Sequence, residues 1–182
     1  MILGIPGSLR ANAYSRGLLL AAQELAPPGS RVEIAENRGF PVFNQDEESP
    51  APEPVRLLRE RVRGADAVLF SINEHNYGLS AAEKNLIDWV SRPYAESAWN
   101  GKPAGIMSAS VGMIGGARAQ YELRQSMVFL NMFPINRPEV IVPFAAQKFD
   151  AAGRLTDDTV RGFIAKHLAE LVRFTRVLSR PL

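Results

Sequence analysis

Short apolar runs alternate with longer segments of helical period along the whole chain. The run Ala-Val-Leu-Phe-Ser-Ile at 67–72 is too short for a buried helix. It is also apolar at almost every position, which suits a strand covered on both faces. Strands alternating with helices in this way pack as a parallel sheet between two helical layers. The expected strands are residues 2–5, 32–35, 67–72, 103–109 and 140–142. The expected helices are 15–26, 55–62, a third from Ser80 to before Pro93, 116–132, and a last one opening at Thr156. Ser80-Ala81-Ala82-Glu83 matches a capping box, with Ser80 as cap and Glu83 reaching back. Thr156, followed by Asp157 and Asp158, is the expected cap of the last helix, whose buried stripe includes Ile164, His167, Leu168 and Leu171. Residues 37–54 contain Gly39, Pro41, Pro50, Pro52 and Pro54, and are expected to be a long irregular loop.

The 182 residues are therefore expected to form one α/β domain spanning 1–182. Its architecture is a three-layer sandwich around a five-stranded parallel sheet in the order 2-1-3-4-5. In that order the loops after strands one, three and four lie side by side at the carboxyl edge. Crossover direction reverses between strands one and three, and ligands bind at such a switch point.

Composition narrows the chemistry. The absence of Cys excludes disulfide scaffolds, thiolate metal sites and cysteine nucleophiles, and two distant His residues, His75 and His167, do not make a metal cluster. No apolar run reaches the ~18 residues of a membrane span. The opening MILGIPGSLR lacks the pattern of a secretory signal, so a cytoplasmic protein is expected. Net charge is only +2, and the basic residues, all Arg except Lys84, Lys102, Lys148 and Lys166, are scattered. Nucleic acid is not an expected partner.

The three loops carry the unusual residues. The first contains Gly7, Ser8, Arg10, Asn12 and Ser15. It offers short donors, a guanidinium and a helix start, which together suit a phosphate monoester, although a polar turn with a helix cap reads equally well. Neither G-x-G-x-x-G nor a P-loop is present. The second loop, Glu74-His75-Asn76-Tyr77, suits the polar edge of a planar heterocycle. His75 reads either as a proton carrier or as a solvated residue. The third, from Ser110 through Gly112 to Gly115 and Gly116, gives glycines where a backbone would approach a flat ring, or a flexible turn. Residue chemistry alone thus reaches a phosphorylated planar cofactor.

These residues resemble the NADPH-dependent FMN reductases of flavodoxin-like fold, a group that includes quinone, chromate and azo-dye reductases. The likeness rests on Gly7-Ser8-Leu9-Arg10, on Phe40-Pro41-Val42-Phe43-Asn44-Gln45-Asp46, and on Glu74-His75-Asn76-Tyr77. It continues through Lys84-Asn85-Leu86-Ile87-Asp88-Trp89 with Ser91-Arg92, and Ser110-Val111-Gly112 with Gly115-Gly116-Ala117-Arg118. The resemblance implies non-covalent FMN, its phosphate held by Ser8, Arg10 and the start of helix one. It implies a ring edge on residues 74–77, Ser110 to Gly115 beneath or beside the ring, and hydride passing from NAD(P)H through FMN to a quinone or similar acceptor. It further implies a homodimer or homotetramer, for which Phe40, Phe43, Tyr94 and Trp99 are candidate contacts, although packing within one chain reads nearly as well. The sequence departs from the family pattern at Ala13 and Ser15, where a Ser and an Asn are usual, and at Asn73 and His75, where a Pro and a Tyr are usual. Asn12 and Ser15 are the expected substitutes at the phosphate. Two other functions compete. One is a serine hydrolase using Ser110 with His75 as base; the other is a flavin-binding or regulatory module with little turnover.

Overall fold

The computed structural model describes residues 1–179. In chain order the elements are β1 (Ile2–Pro6), α1 (Tyr14–Glu24), β2 (Val32–Ile34), α2 (Glu53–Gly64), β3 (Ala67–Ile72), β4 (Glu74–His75), β5 (Gly78–Leu79), α3 (Ala81–Val90), β6 (Pro103–Ala109), α4 (Ala117–Phe129), β7 (Phe133–Pro134), β8 (Val140–Val142) and α5 (Asp158–Leu178). The main sheet runs β2-β1-β3-β6, and β6 pairs at its start with β7 and at its end with β8. Every pairing in it is parallel. The expected order 2-1-3-4-5 is thus the observed β2-β1-β3-β6-β8, with β7 as an addition that is only two residues long. The fold is flavodoxin-like.

Alternation of side chains along buried strands builds two cores. Leu3, Ile5, Val68, Phe70, Ile72 and Ile106 pack under α2, α3 and α4, together with Leu58, Leu86, Trp99 and Leu123. Ile2, Leu69, Met107 and Val140 pack under α1 and α5, together with Leu18, Leu19, Ile164 and Leu168. All six residues of β3 are buried, as the continuous apolar run requires.

Several local expectations change. Helix α1 begins at Tyr14 and stops at Glu24, short of the expected Ala26. Asp157, not Thr156, caps α5: its carboxylate accepts from Val160 N and from the Lys148 ammonium, while Thr156 donates to Lys148 O. Ser80 caps α3 by accepting from Glu83 N, but the reciprocal half of the capping box is missing, because the Glu83 carboxyl turns into the interior. Of the two readings of Trp99, contact with a partner chain or packing within this one, the structure shows the second: it is fully buried against Phe70 at 5.4 Å between ring centres. Phe43 packs edge-on against Trp89. The 37–54 segment is irregular apart from one short turn of 3₁₀ helix, Gln45–Glu47, and its last two residues, where α2 starts at Glu53 rather than at the expected Val55.

His167 reaches from α5 to the sheet, where Gly105 leaves room for it: a Cβ at 105 would lie 2.7 Å from Nε2. Its Nδ1 is 2.6 Å from Pro138 O and its Nε2 has no partner. Burial holds its pKa below the usual value despite that carbonyl. The unfolded chain therefore protonates first as pH falls, so His167 contributes stability above its unfolded pKa of ~6.5 that is lost below it. The urea midpoint should drop as pH falls from about 7 to about 5, and His167→Gln should flatten that slope. An unchanged slope in the variant would assign the acid sensitivity to other groups.

Candidate functional site

The first loop leaves β1 over Gly7. Its carbonyls are consumed internally: Ser80 Oγ donates to Gly7 O at 2.8 Å, and Asn37 Nδ2 donates to Pro6 O and Ser8 O at 2.7 and 2.9 Å. The Arg38 guanidinium donates to Leu9 O. What remains outward are donors. Arg10 and Asn12 are exposed, and the Arg10 guanidinium makes no hydrogen bond or ion pair among the described residues. Ser8 Oγ accepts from Arg10 N at 3.2 Å. Ala13 is the N-cap of α1, so this helix has no side-chain cap, and no acidic residue stands in its first turn. The N–H groups of Tyr14, Ser15 and Arg16 therefore lack acceptors among the described residues. Ser15 is buried and its Oγ has no partner either. A bare helix start with its positive dipole end, beside a free guanidinium, is chemistry suited to an anion.

The second loop is a hairpin. β4 and β5 pair antiparallel, and the connecting Asn76 and Tyr77 both take left-handed backbone, at φ 51° and 71°. Two such residues make the tight turn that short hairpins favour. Tyr77 tolerates this because Arg118 lies 3.8 Å over its ring. Glu74 spends both carboxyl oxygens on Arg118, one on the guanidinium at 2.6 Å and one on the backbone N–H at 3.1 Å. Glu122 accepts from Leu79 N at 2.7 Å. The Glu74 carboxylate thus caps α4, and the hairpin backbone, the part of residues 74–77 expected to border a heterocycle, is what remains for a ligand. His75, Asn76 and Tyr77 are exposed, and the His75 ring makes no hydrogen bond among the described residues.

The third loop is pinned to the end of β8. Ser110 N donates to Val142 O, Ala145 N donates to Ser110 O, and Phe144 N donates to Gly112 O. Gly115 takes φ 64°, and a Cβ there would come within 2.7 Å of Ile141 Cγ2. Its glycine identity therefore answers to internal packing, apart from any ring it was expected to approach. Gly112 differs: the nearest atom to a Cβ at that position would be Ser110 Oγ, 3.7 Å away. The N–H groups of Val111 and Met113 have no acceptor among the described residues. Ser110 Oγ accepts from Gly112 N at 3.2 Å, and neither His bonds to it, so the hydrolase reading lacks its base.

The sheet order places these three loops on adjacent strands at one edge, with Pro6 beside Ser71 and Ile72 beside Ser108. Some contributors escaped sequence reasoning. Asn85 and Trp89 of α3 hold the 41–43 segment, through Phe43 N to Asn85 Oδ1, and through Asn85 Nδ2 and Trp89 Nε1 to Pro41 O. Gly153 packs on Asn12, bringing the turn at 150–153 to the first loop. Nothing in local spacing announces either contact. Restoring a cap should stabilise the cofactor-free protein: Ala13→Ser is expected to add about 1 kcal/mol, read as a higher urea midpoint. No gain would mean that the first-turn N–H groups are already satisfied.

Comparison with known proteins follows the same residues. The model of the NADPH-dependent FMN reductase family matches residues 1–147. An NAD(P)H-dependent FMN reductase of Pseudomonas aeruginosa is 46% identical over 178 residues, covering 97% of this chain and 96% of the relative. A quinone reductase of Pseudomonas putida is 42% identical over 178 residues, covering 96% and 95%. Among solved structures, FerB, a flavoenzyme NAD(P)H:(acceptor) oxidoreductase from Paracoccus denitrificans, superposes with a TM-score of 0.87 at 30% identity and covers 97% of both chains. This chain belongs to the NADPH-dependent FMN reductase family.

Proposed function

We propose that this protein, as one domain, binds FMN non-covalently at the carboxyl edge of the sheet and passes hydride from NAD(P)H to a quinone or similar small acceptor. The observation that carries the reading is the uncapped start of α1 beside the unpaired Arg10 guanidinium. That donor set fits a phosphate monoester, which a buried, orphaned Ser15 hydroxyl also favours. In this reading Ser8, Arg10, Asn12 and the first turn of α1 hold the phosphate. The backbone of residues 74–77 borders the ring edge, and Ser110 to Gly112 line its side, with the free N–H groups of Val111 and Met113 as donors toward negative charge. His75 stands on the exposed rim as the side chain able to exchange a proton with solvent. FMN, held there by these residues, would supply the redox chemistry between NAD(P)H and the acceptor. The protein's share is to bind and orient, which accounts for a site without a nucleophile and base in hydrogen-bond contact.

A second copy of the chain is proposed to cover α4. Tyr121, Val128 and Phe129 are exposed along this helix, and Tyr94 stacks on Phe129 at 5.4 Å. Light scattering should show a dimer or tetramer, and Val128→Arg should shift it toward monomer. A monomeric wild type would remove this part of the proposal. No helix among the described residues is long and apolar enough to cross a membrane. Work in the cytoplasm, where NAD(P)H is at hand, is part of this proposal.

The test is direct. The protein mixed with FMN should give a bound-flavin visible spectrum and oxidise NADPH or NADH in the presence of a quinone. Bound flavin without oxidation would favour the regulatory module, a reading motivated by Ala13 and Ser15. Arg10→Ala should weaken FMN binding by at least ~1.5 kcal/mol, the low end for a charge-assisted hydrogen bond. Unaltered affinity in that variant would take Arg10 out of the phosphate site.

A further inference from the structure

Glu83 is a buried acid that the proposed function leaves unused. It stands third in α3, where a completed capping box would send its carboxyl back to the Ser80 N–H. The carboxyl instead lies against the first residue of the phosphate loop. A Cβ at Gly7 would sit 2.8 Å from Glu83 Oε2 and 3.1 Å from both Glu83 Cδ and Ile72 Cα. Glycine at position 7 is therefore what makes room for the acid. Ser80 joins the two, donating to Gly7 O at 2.8 Å and accepting from Glu83 N at 3.2 Å. Glu83 is 2% exposed, and neither carboxyl oxygen has a hydrogen-bond partner.

No cation compensates it. Lys84, next in the chain, faces Asp88 at 2.6 Å. On α4, Arg118 is committed to Glu74 and the Tyr77 ring, and Glu122 adds a like charge. On the loops, Arg38 is held by Leu9 O and Arg10 is exposed. Burial first, and Glu122 second, push the Glu83 carboxyl well above the usual carboxylate range. An acid whose pKa burial raises, with no hydrogen-bond partner on either oxygen, thus lies directly under the loop that begins at Gly7.

We propose that Glu83 is a cofactor-positioning residue: its carboxyl must keep its proton for the Gly7 loop to accept the FMN phosphate, so that ionisation of Glu83 releases FMN. The inference rests on the phosphate placement proposed above. An ionised carboxylate and a phosphate dianion on opposite sides of one loop would repel through a medium that screens poorly, and Arg10, the cation proposed at that loop, would answer the phosphate and leave the Glu83 charge unpaired. Linkage makes the effect reciprocal. A bound phosphate holds the Glu83 proton more tightly, so FMN binding at alkaline pH takes up one proton from solvent.

FMN affinity, read by quenching of flavin fluorescence, should be compared for wild type and Glu83→Gln from about pH 6.5 to about pH 9.5, above the phosphate's own second ionisation near ~6. Wild type should weaken by about tenfold or more across that range, the factor for one unit of pKa coupling. Glu83→Gln, neutral at every pH, should start from a similar affinity and stay nearly flat. Riboflavin, which lacks the phosphate, should show no such break in wild type. Calorimetry in two buffers of different ionisation enthalpy should find proton uptake with FMN in wild type and none in the variant. Flat wild-type affinity, or an equal decline in both proteins, overturns the inference while leaving the proposed function standing. Absence of FMN binding at about pH 6.5 overturns both. If Glu83→Gln does not fold, the infrared carbonyl band of a protonated carboxylic acid in wild type decides. It must be present near neutrality and vanish over the pH range in which FMN is released; its absence near neutrality sinks the idea.

Discussion

The pairing of β3 with β1 on one edge and β6 on the other is the constraint on which the rest of the structure depends. β3 matches Ile2–Pro6 residue for residue on one side and reaches from Ala104 to Ser108 on the other. Because all three strands run parallel, their chains leave the sheet at the same edge within a few residues of one another. Burial secures that register. Side chains alternate between two separate cores, so a slip of one residue would exchange their faces. Both faces being apolar, the strands have no solvent side on which to relax.

Once the loops are gathered, their polar groups sort by what each can still pair with. The first loop ties up its carbonyls and presents N–H groups and a guanidinium. The hairpin is locked to α4 by Glu74 and Arg118, and the third loop is locked to β8 by backbone bonds. Little here needs to move to meet a ligand, which is the preorganisation a cofactor site benefits from. The helix starts also divide by chemistry. α3 and α5 carry side-chain caps and α4 borrows Glu74. α1 and α2 have no side-chain cap, but α2 starts with Glu53 and Pro54, whereas α1 has no first-turn acid and is left open at the loop richest in free donors. Under the start of that loop, against Gly7, lies the buried acid Glu83, whose pKa the low-dielectric interior raises.

Much of the fold was legible because it is written in local periodicity. The run at 67–72 could only be a strand buried on both faces, and its bounds are those observed. The strand order followed from the alternation and from the order common to five-stranded doubly wound sheets rather than from any contact. Caps were legible where the residue is unambiguous, as at Ser80, and misread at Thr156, where three capping-competent residues stand in a row and Lys148, distant in sequence, selects Asp157. Trp99 looked like a surface aromatic because it lies in an irregular segment. Its burial depends on Phe70 of a strand far away in the chain.

The sequence by itself determined the layers, the strand order, the three loops and the family motifs, since each rests on spacing within a few neighbouring residues. Only the tertiary structure decided what the side chains of those loops are free to do. Glu74 is spent on Arg118, Gly115 is glycine because of Ile141, and Glu83 turns away from its own helix toward Gly7. Those outcomes depend on partners more than twenty residues away, and a buried polar group's chemistry is set by whichever distant atoms remain to pair with it.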